Sequence, residues 1–211
     1  MNRDMDYYDF DFDAEELVQR SGIDEMFHYK DVVSRKFFLN GEVNAANVAD
    51  ICRHIMQINQ QDKAIPVERR MPIRLYVSTV GGEVDPGFQL VDTIEASKTP
   101  VYTINTGGAS SMGIYIMIAG HKRFSMPNAR FMMHDGQIQI SGNTSNVQDA
   151  MKFQERFEAR IKNFVLGRTK ITGELYDQKY RTEWSMFADE ARELGVIDYV
   201  IGEDVGLDAV I

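Results

Sequence analysis

Residues 101–119, VYTINTGGASSMGIYIMIA, decide the fold because they contain a strand, a glycine-rich turn and an apolar helix in that order. The apolar and β-branched residues of Val101–Asn105 predict the strand. Gly107–Ser111 predict the turn, and Met112–Ala119 predict a buried helix. A strand that passes through a turn into a helix is the first part of a crossover unit, whose next strand runs parallel to the first.

The same order of elements occurs upstream. Ile73–Val77 predict a strand, Gly81–Gly82 end its turn, and Pro86 opens a helix. Two such units in succession predict an α/β fold, with a mostly parallel sheet covered by helices. Further elements are predicted as a strand within residues 35–43, helices at about 45–60, 147–166 and 188–194, and strands at Ala129–His134 and Ile197–Ile201.

The composition is that of one soluble globular domain. The chain has 211 residues, 44% hydrophobic and 26% charged, and a single cysteine, Cys52, which we assign to the core. The longest apolar run, Met112–Gly120, is far shorter than the ~20 residues that span a bilayer. We find no basic and apolar signal segment at the start, so we expect a cytoplasmic protein without membrane contact.

The N-terminus carries much of the net charge of −9. Residues 1–16 hold seven acidic residues and one arginine, interleaved with aromatic residues. We expect residues 1–20 to form an acidic tail, either solvated or docking on a basic partner, and residues 21–211 to form one domain. An acidic chain without a basic stripe makes nucleic acid an unlikely ligand.

Two polar residues at predicted strand ends are candidates for chemistry. Ser111 stands where a strand passes into a helix, so it is either a helix N-cap or a nucleophile whose oxyanion would gain from the helix N-terminus. His134 ends a strand and precedes a polar loop, as either a structural histidine or a base. Neither glycine pair, Gly81–Gly82 or Gly107–Gly108, matches a nucleotide-binding pattern.

Several motifs, in order along residues 37–200, resemble the proteolytic subunit of the Clp protease, the ClpP family. Ser111 lies in the motif Gly107–Gly113, and His134 ends the motif Met132–His134. The other motifs are Leu75–Ser78 with Gly81–Gly82, Ala119–Gly120, Lys122–Phe124, Pro127–Arg130, Ala188–Ala191 and Gly195–Asp198. The resemblance implies a ClpP/crotonase-like fold of repeated strand–turn–helix crossover units, with a protruding strand–helix handle at 136–142 and the helix from 147.

The resemblance also implies roles for single residues. Ser111 would attack a peptide carbonyl, and His134 would accept its proton and return it to the leaving amine. The backbone N–H groups of Gly82 and Met112 would form the oxyanion hole. No metal or cofactor is implied. The family has Asp at the third triad position, where this chain has Glu183, one methylene longer; Asp177 is the alternative acid.

The implied assembly is two stacked seven-subunit rings that degrade unfolded polypeptides delivered by an AAA+ ATPase. Thr182 stands where the family has an arginine that contacts the other ring, and Ala96 stands where an aromatic residue often contributes to the ATPase dock. The substrate would bind as an added strand along residues 136–141.

Two other functions stay open at the level of sequence. The departures at Glu183 and Thr182 allow a non-catalytic scaffold subunit in a mixed ring. A crotonase-type acyl-CoA enzyme is the second, since that fold also places two backbone N–H groups around a carbonyl oxygen. Such an enzyme needs neither Ser111 nor His134.

Overall fold

The computed structural model describes residues 14–211, with side chains from residue 23 onwards. The chain divides into two compact units, one that ends at Lys36 and one from Phe37 to Ile211. The first contains helix α1, Ala14–Val33, after which Arg35 adopts a left-handed conformation with φ of 56°. Helix α1 begins within the stretch predicted as a tail. Residues 1–13 lie outside the described residues, so the acidic tail and the domain division at residue 20 stay predictions.

From Lys36 to Ala119 the chain alternates strands with helices, and after that two strands and two helices follow one another in pairs before β6. The strands are β1 (Lys36–Val43), β2 (Ile73–Gly82), β3 (Val101–Ser110), β4 (Lys122–Ser125), β5 (Arg130–Met133), β6 (Trp184–Phe187) and β7 (Tyr199–Val200). The helices are α2 (Ala45–Gln61), α3 (Val84–Ala96), α4 (Met112–Ala119), α5 (Thr144–Arg168), α6 (Gly173–Lys179) and α7 (Ala188–Glu193). Short 3₁₀ turns lie at Asp62–Ala64, Val67–Arg69 and Leu207–Ala209.

The strands form one mostly parallel sheet in the order β1-β2-β3-β4-β7, and β5 pairs with both β3 and β6. Strands β2, β3, β4 and β7 are parallel neighbours, β5 is parallel to β3, and β5 is antiparallel to β6. The predicted α/β class is confirmed. The parallel pairs follow from the crossover helices, which return the chain to the same end of the sheet.

Strand β3 changes its neighbour halfway along its length. Its first half, Tyr102–Asn105, pairs with β4, whereas Gly108–Ser110 pair with β5. The change coincides with a register shift against β2. Asn105 is fully buried there, accepts a hydrogen bond from the Gly107 N–H and donates to Arg130 O. The side chain of Asn105 therefore ties β3 to β5 where the backbone ladder changes partner.

Helix α4 is the centre of the core. All eight of its residues are buried, as expected for a helix that is apolar on every side. Arg168 at the end of α5 donates to the carbonyl oxygens of Ile118, Ala119 and Gly120, so a cation satisfies the C-terminal end of α4. The helix is thereby held along its whole length and at its end.

The structure agrees with the predicted burial of Cys52, but several strands differ in length from the prediction. Cys52 is buried in α2, as predicted. Strands β2 and β3 continue through their glycine pairs, which the sequence predicted as turns. The last strand is two residues long rather than five. Within residues 14–211, none of the helices is long and apolar enough to cross a membrane.

Candidate active site

Ser111 occupies a strained turn between β3 and α4. Its backbone has φ of 52° and ψ of −121°, which is rare for a residue other than glycine. Its side chain makes no capping hydrogen bond to the helix. The interpretation of Ser111 as an N-cap is therefore not supported, because the hydrogen bond that defines an N-cap is missing. A sharp, strained strand-to-helix turn is instead the conformation in which hydrolases expose a serine nucleophile.

Small residues on both sides make this turn possible. An ideal Cβ on Gly81 would lie 2.6 Å from Ser111 Cβ and 2.7 Å from Ser110 O. One on Gly113 would lie 2.4 Å from Thr79 Cγ2. Side chains at positions 81 and 113 would thus displace the turn, because real Cβ atoms do not approach so closely. The glycines that the sequence singled out at these positions are required by packing.

The β3–β5 ladder ends next to both Ser111 and His134. The Ser111 N–H donates to Met132 O at 2.9 Å, directly after the Ser110–Met132 pair of β3 and β5. His134 follows Met133, the last residue of β5. Because β3 and β5 are parallel, their carboxyl ends meet at the same edge. Ser111 and His134, the candidate nucleophile and base, therefore each directly follow the carboxyl end of one of these two paired strands.

Glu183 lies next to His134 by the register of the neighbouring strands. Trp184, the first residue of β6, pairs with Met133 in the antiparallel β5–β6 ladder. The ladder ends at this pair, and one more step along its register would set Glu183 across from His134. Opposed residues in such ladders have Cα atoms about 4.5–5.5 Å apart. Glu183 is exposed, and within the described part of the chain no hydrogen bond joins it to His134.

The alternative acid, Asp177, has a different partner. It lies in α6, and Lys162 Nζ donates to both of its carboxylate oxygens, at 2.6 and 2.7 Å. This ion pair fixes Asp177 against α5. The ion pair with Lys162 therefore leaves Glu183 as the stronger candidate for the acid that would orient His134.

The two candidate oxyanion donors are the backbone N–H groups of Gly82, at the end of β2, and of Met112, which directly follows Ser111. Met112 is the first residue of α4, and its amide nitrogen is 3.2 Å from the ideal Cβ position of Gly81. Gly82 ends β2 with φ of 150°, and a Cβ there would lie 2.2 Å from Val43 O. The Gly81 N–H already donates to Thr79 Oγ1 at 3.0 Å, which leaves Gly82 as the candidate donor of this turn.

A tyrosine cluster that the sequence analysis missed lies beside the candidate base. Tyr176 and Tyr180 stack with ring centroids 4.7 Å apart, and Tyr115 of α4 is buried near them. Burial raises the pKa of Tyr115 and of Tyr176; the charge of Tyr180 adds to both shifts, and that of Asp135 adds to the shift of Tyr115. With Asp135, Tyr176 and Tyr180 line an open cleft of about 680 Å³. The four-residue spacing between Tyr176 and Tyr180 is the sequence feature that could have indicated this cluster, because residues four apart lie on one face of a helix.

Two other histidines, His54 and His121, make contacts that are typical of a structural role. His54 stacks on Phe37 at 4.9 Å, and His121 Nδ1 accepts a hydrogen bond from the Val101 N–H. Partial burial lowers the pKa of His121, so its ring is neutral near pH 7. Over the described residues, no group of three or more His, Cys, Asp or Glu side chains is placed to hold a metal ion.

A family model described as Clp protease matches residues 24–204, a range that includes every candidate site residue. The chain belongs to the Clp protease family. It is 31% identical to the ATP-dependent Clp protease proteolytic subunit 3 of Streptomyces coelicolor over 172 residues, 79% of this chain and 75% of that protein. It is 26% identical to the ATP-dependent Clp protease proteolytic subunit 2 of Treponema pallidum over 180 residues, 84% of this chain and 87% of that protein.

Membership in the Clp protease family confirms the resemblance that the motifs indicated. It supports a peptidase-type subunit and the fold that positions the site. The roles of Ser111, His134, Glu183, Gly82 and Met112 stay predictions, since family membership alone does not assign chemistry to single side chains.

Proposed function

We propose that this chain is a serine endopeptidase subunit of a self-compartmentalising Clp-type protease. The observation that supports this most directly is the strained, uncapped Ser111 at the start of α4, bonded through its N–H to the strand that leads into His134. Strain of this kind costs about 1–3 kcal/mol and persists where function requires it.

The proposed reaction is acyl transfer in two steps. His134 accepts the Ser111 hydroxyl proton as the oxygen attacks the peptide carbonyl, and returns that proton to the leaving amine. The N–H groups of Gly82 and Met112 stabilise the oxyanion of each tetrahedral intermediate, at about 3–4 kcal/mol per donor in comparable hydrolases. Water activated by His134 then releases the acyl group. Glu183 orients His134 and stabilises its cationic form.

The substrate class follows from confinement within an assembly. We infer two stacked seven-subunit rings that admit only unfolded polypeptides, fed by an AAA+ ATPase in the cytoplasm. Helix α5 supports a contact between subunits, because residues 144–160 contain no buried side chain and the apolar Met151 and Phe153 are exposed. The substrate binds along residues 136–141 mainly through backbone hydrogen bonds. The reaction needs no cofactor of its own.

The test uses the purified full chain and Ser111→Ala. Native mass spectrometry measures assembly, a fluorogenic peptide measures hydrolysis, and a fluorophosphonate probe measures covalent labelling. We expect a fourteen-subunit mass for both proteins, with hydrolysis and labelling in the wild type alone. An assembled wild type that neither hydrolyses nor labels contradicts the proposal. Turnover of a CoA thioester that survives Ser111→Ala would support the acyl-CoA alternative.

A non-catalytic scaffold subunit is the second candidate. The observation in its favour is that no hydrogen bond joins Glu183 to His134 in the described residues, together with Thr182 in place of the family's arginine. A scaffold subunit would assemble only with an active paralogue and would not react with the fluorophosphonate. Labelling of the chain on its own excludes this role.

A further inference from the structure

Thr79 is a buried residue of β2 that contacts both turns of the site. It is 4% exposed and pairs with Ala109 of β3. Its hydroxyl oxygen accepts a hydrogen bond from the Gly81 N–H at 3.0 Å. Its methyl carbon Cγ2 fills the space beside Gly113, 2.4 Å from where a Cβ of that residue would lie. One side chain therefore lies between the glycine turn and the serine turn.

The hydroxyl of Thr79 decides which amide the glycine turn can offer to a substrate. Two successive N–H groups, those of Gly81 and Gly82, follow the strand. Because Thr79 accepts from the first, that group cannot turn towards Ser111. A glycine pair has wide conformational freedom, so an acceptor that fixes one peptide group also limits the direction of the next.

A second contact holds the outer side of the same turn. The Glu83 N–H donates to Val43 O at 2.8 Å, which anchors the residue after the glycine pair to β1. A Cβ on Gly82 would lie 2.2 Å from the same Val43 O. The turn is thus fixed from β1 by a backbone group and from within β2 by one side chain. Of these two anchors, only Thr79 can be altered by substitution.

We propose that Thr79 is a positioning residue that orients the Gly82 N–H towards the oxyanion. This inference rests on the proposed function. Thr79 touches no reacting atom. Its hydroxyl holds Gly81 and thereby aims the next amide, while its methyl group packs under the turn that carries Ser111. Preorganised donors stabilise the transition state because they need no reorientation during the reaction.

The experiment compares Thr79→Val with Thr79→Ser in the full chain. Valine keeps the branched shape and lacks the acceptor, whereas serine keeps the acceptor and lacks the methyl group. We expect Thr79→Val to lower kcat for a fluorogenic peptide by about tenfold or more, with KM within about twofold. The inhibition constant of a peptide boronate, whose tetrahedral adduct carries a similar charge, should rise with the loss of kcat. Thr79→Ser should regain most of the lost kcat.

The matched control is Thr103→Val. Thr103 is a fully buried threonine of β3 whose hydroxyl donates to Met117 O, remote from the glycine turn. Its substitution removes a comparable buried hydrogen bond, so it reports the effect of destabilisation alone. Should Thr79→Val not fold, Thr79→Ala and Thr79→Ser give the same contrast in a smaller side chain.

Three results would overturn the inference. These are an unchanged kcat in Thr79→Val, an equal loss in Thr79→Ser, or an equal loss of kcat in Thr103→Val. Failure of the proposed function gives a different result, since the wild type would then show no Ser111-dependent hydrolysis at all. The two proposals are therefore tested separately by the same set of proteins.

Discussion

The nucleophile side of the candidate site, around Ser111, is fixed by more contacts than the base side, around His134. On the nucleophile side, every residue of α4 is buried, Arg168 holds its last carbonyl groups, and the Ser111 N–H is bonded to β5. On the base side, residues 134–142 have no helical or strand hydrogen bonding and are mostly exposed, as is Glu183. The chain fixes the nucleophile by packing and holds the base and its acid by few contacts.

This difference predicts different consequences for substitutions. A residue fixed by close packing affects both folding and activity, because its neighbours cannot relax around a change. An exposed residue in an irregular segment affects activity alone, since little packing depends on it. Substitutions on the two sides of the site can therefore test that division.

On the base side, Glu183→Gln should lower kcat by about 10⁴-fold, because an imidazole without an orienting carboxylate favours the wrong tautomer. The melting temperature should stay near that of the wild type, since Glu183 is exposed and has no ion pair among the described residues. Peptide hydrolysis and thermal unfolding measure the two quantities. Asp177→Asn is the control, and a larger loss of kcat in that variant would make Asp177 the orienting acid.

On the nucleophile side, Gly81→Ala should destabilise the fold by about 3 kcal/mol and abolish hydrolysis. The new Cβ would meet Ser111 Cβ at 2.6 Å, and the backbone φ of 97° disfavours alanine. Denaturant unfolding measures the loss. Gly136→Ala is the matched control, because a Cβ there meets nothing within 4 Å, and its effect should stay within about 0.5 kcal/mol. Equal effects at the two positions would contradict the division.

The same division explains what could be predicted from the sequence. The β3–α4 region has a local pattern, in which a strand, a glycine turn and an apolar run follow each other. That pattern predicted the α/β class, which is confirmed. Strand β6 and helix α6 have four and seven residues. Such short elements depend on partners distant in the chain, so their own periodicity could not reveal them.

The candidate site was predictable in its residues and not in its conformation. Ser111 at a strand–helix junction fits both an N-cap, the commoner role of a serine there, and a nucleophile, because the two differ in backbone angles and not in residue type. The hydrogen bond from Gly81 to Thr79 was likewise hidden, since threonine within a strand is ordinary. The resemblance put Glu183 at the third triad position, but the local sequence around Glu183 could not reveal the pairing of β5 with β6 that ends beside both residues.

The smallest expected effect separates those two readings of Ser111 by stability alone. Both Ser111→Gly and Ser111→Ala remove the hydroxyl and should abolish hydrolysis. For an N-cap, serine stabilises most, glycine slightly less and alanine least. For an uncapped residue with φ of 52° and ψ of −121°, glycine relieves strain of about 1–3 kcal/mol and raises the unfolded-state entropy by about 0.4–1 kcal/mol. Ser111→Gly should therefore exceed the wild type by about 1 kcal/mol in unfolding free energy, with Ser111→Ala close to the wild type. A wild type more stable than both variants would show that Ser111 caps α4 and that the nucleophile side is not strained.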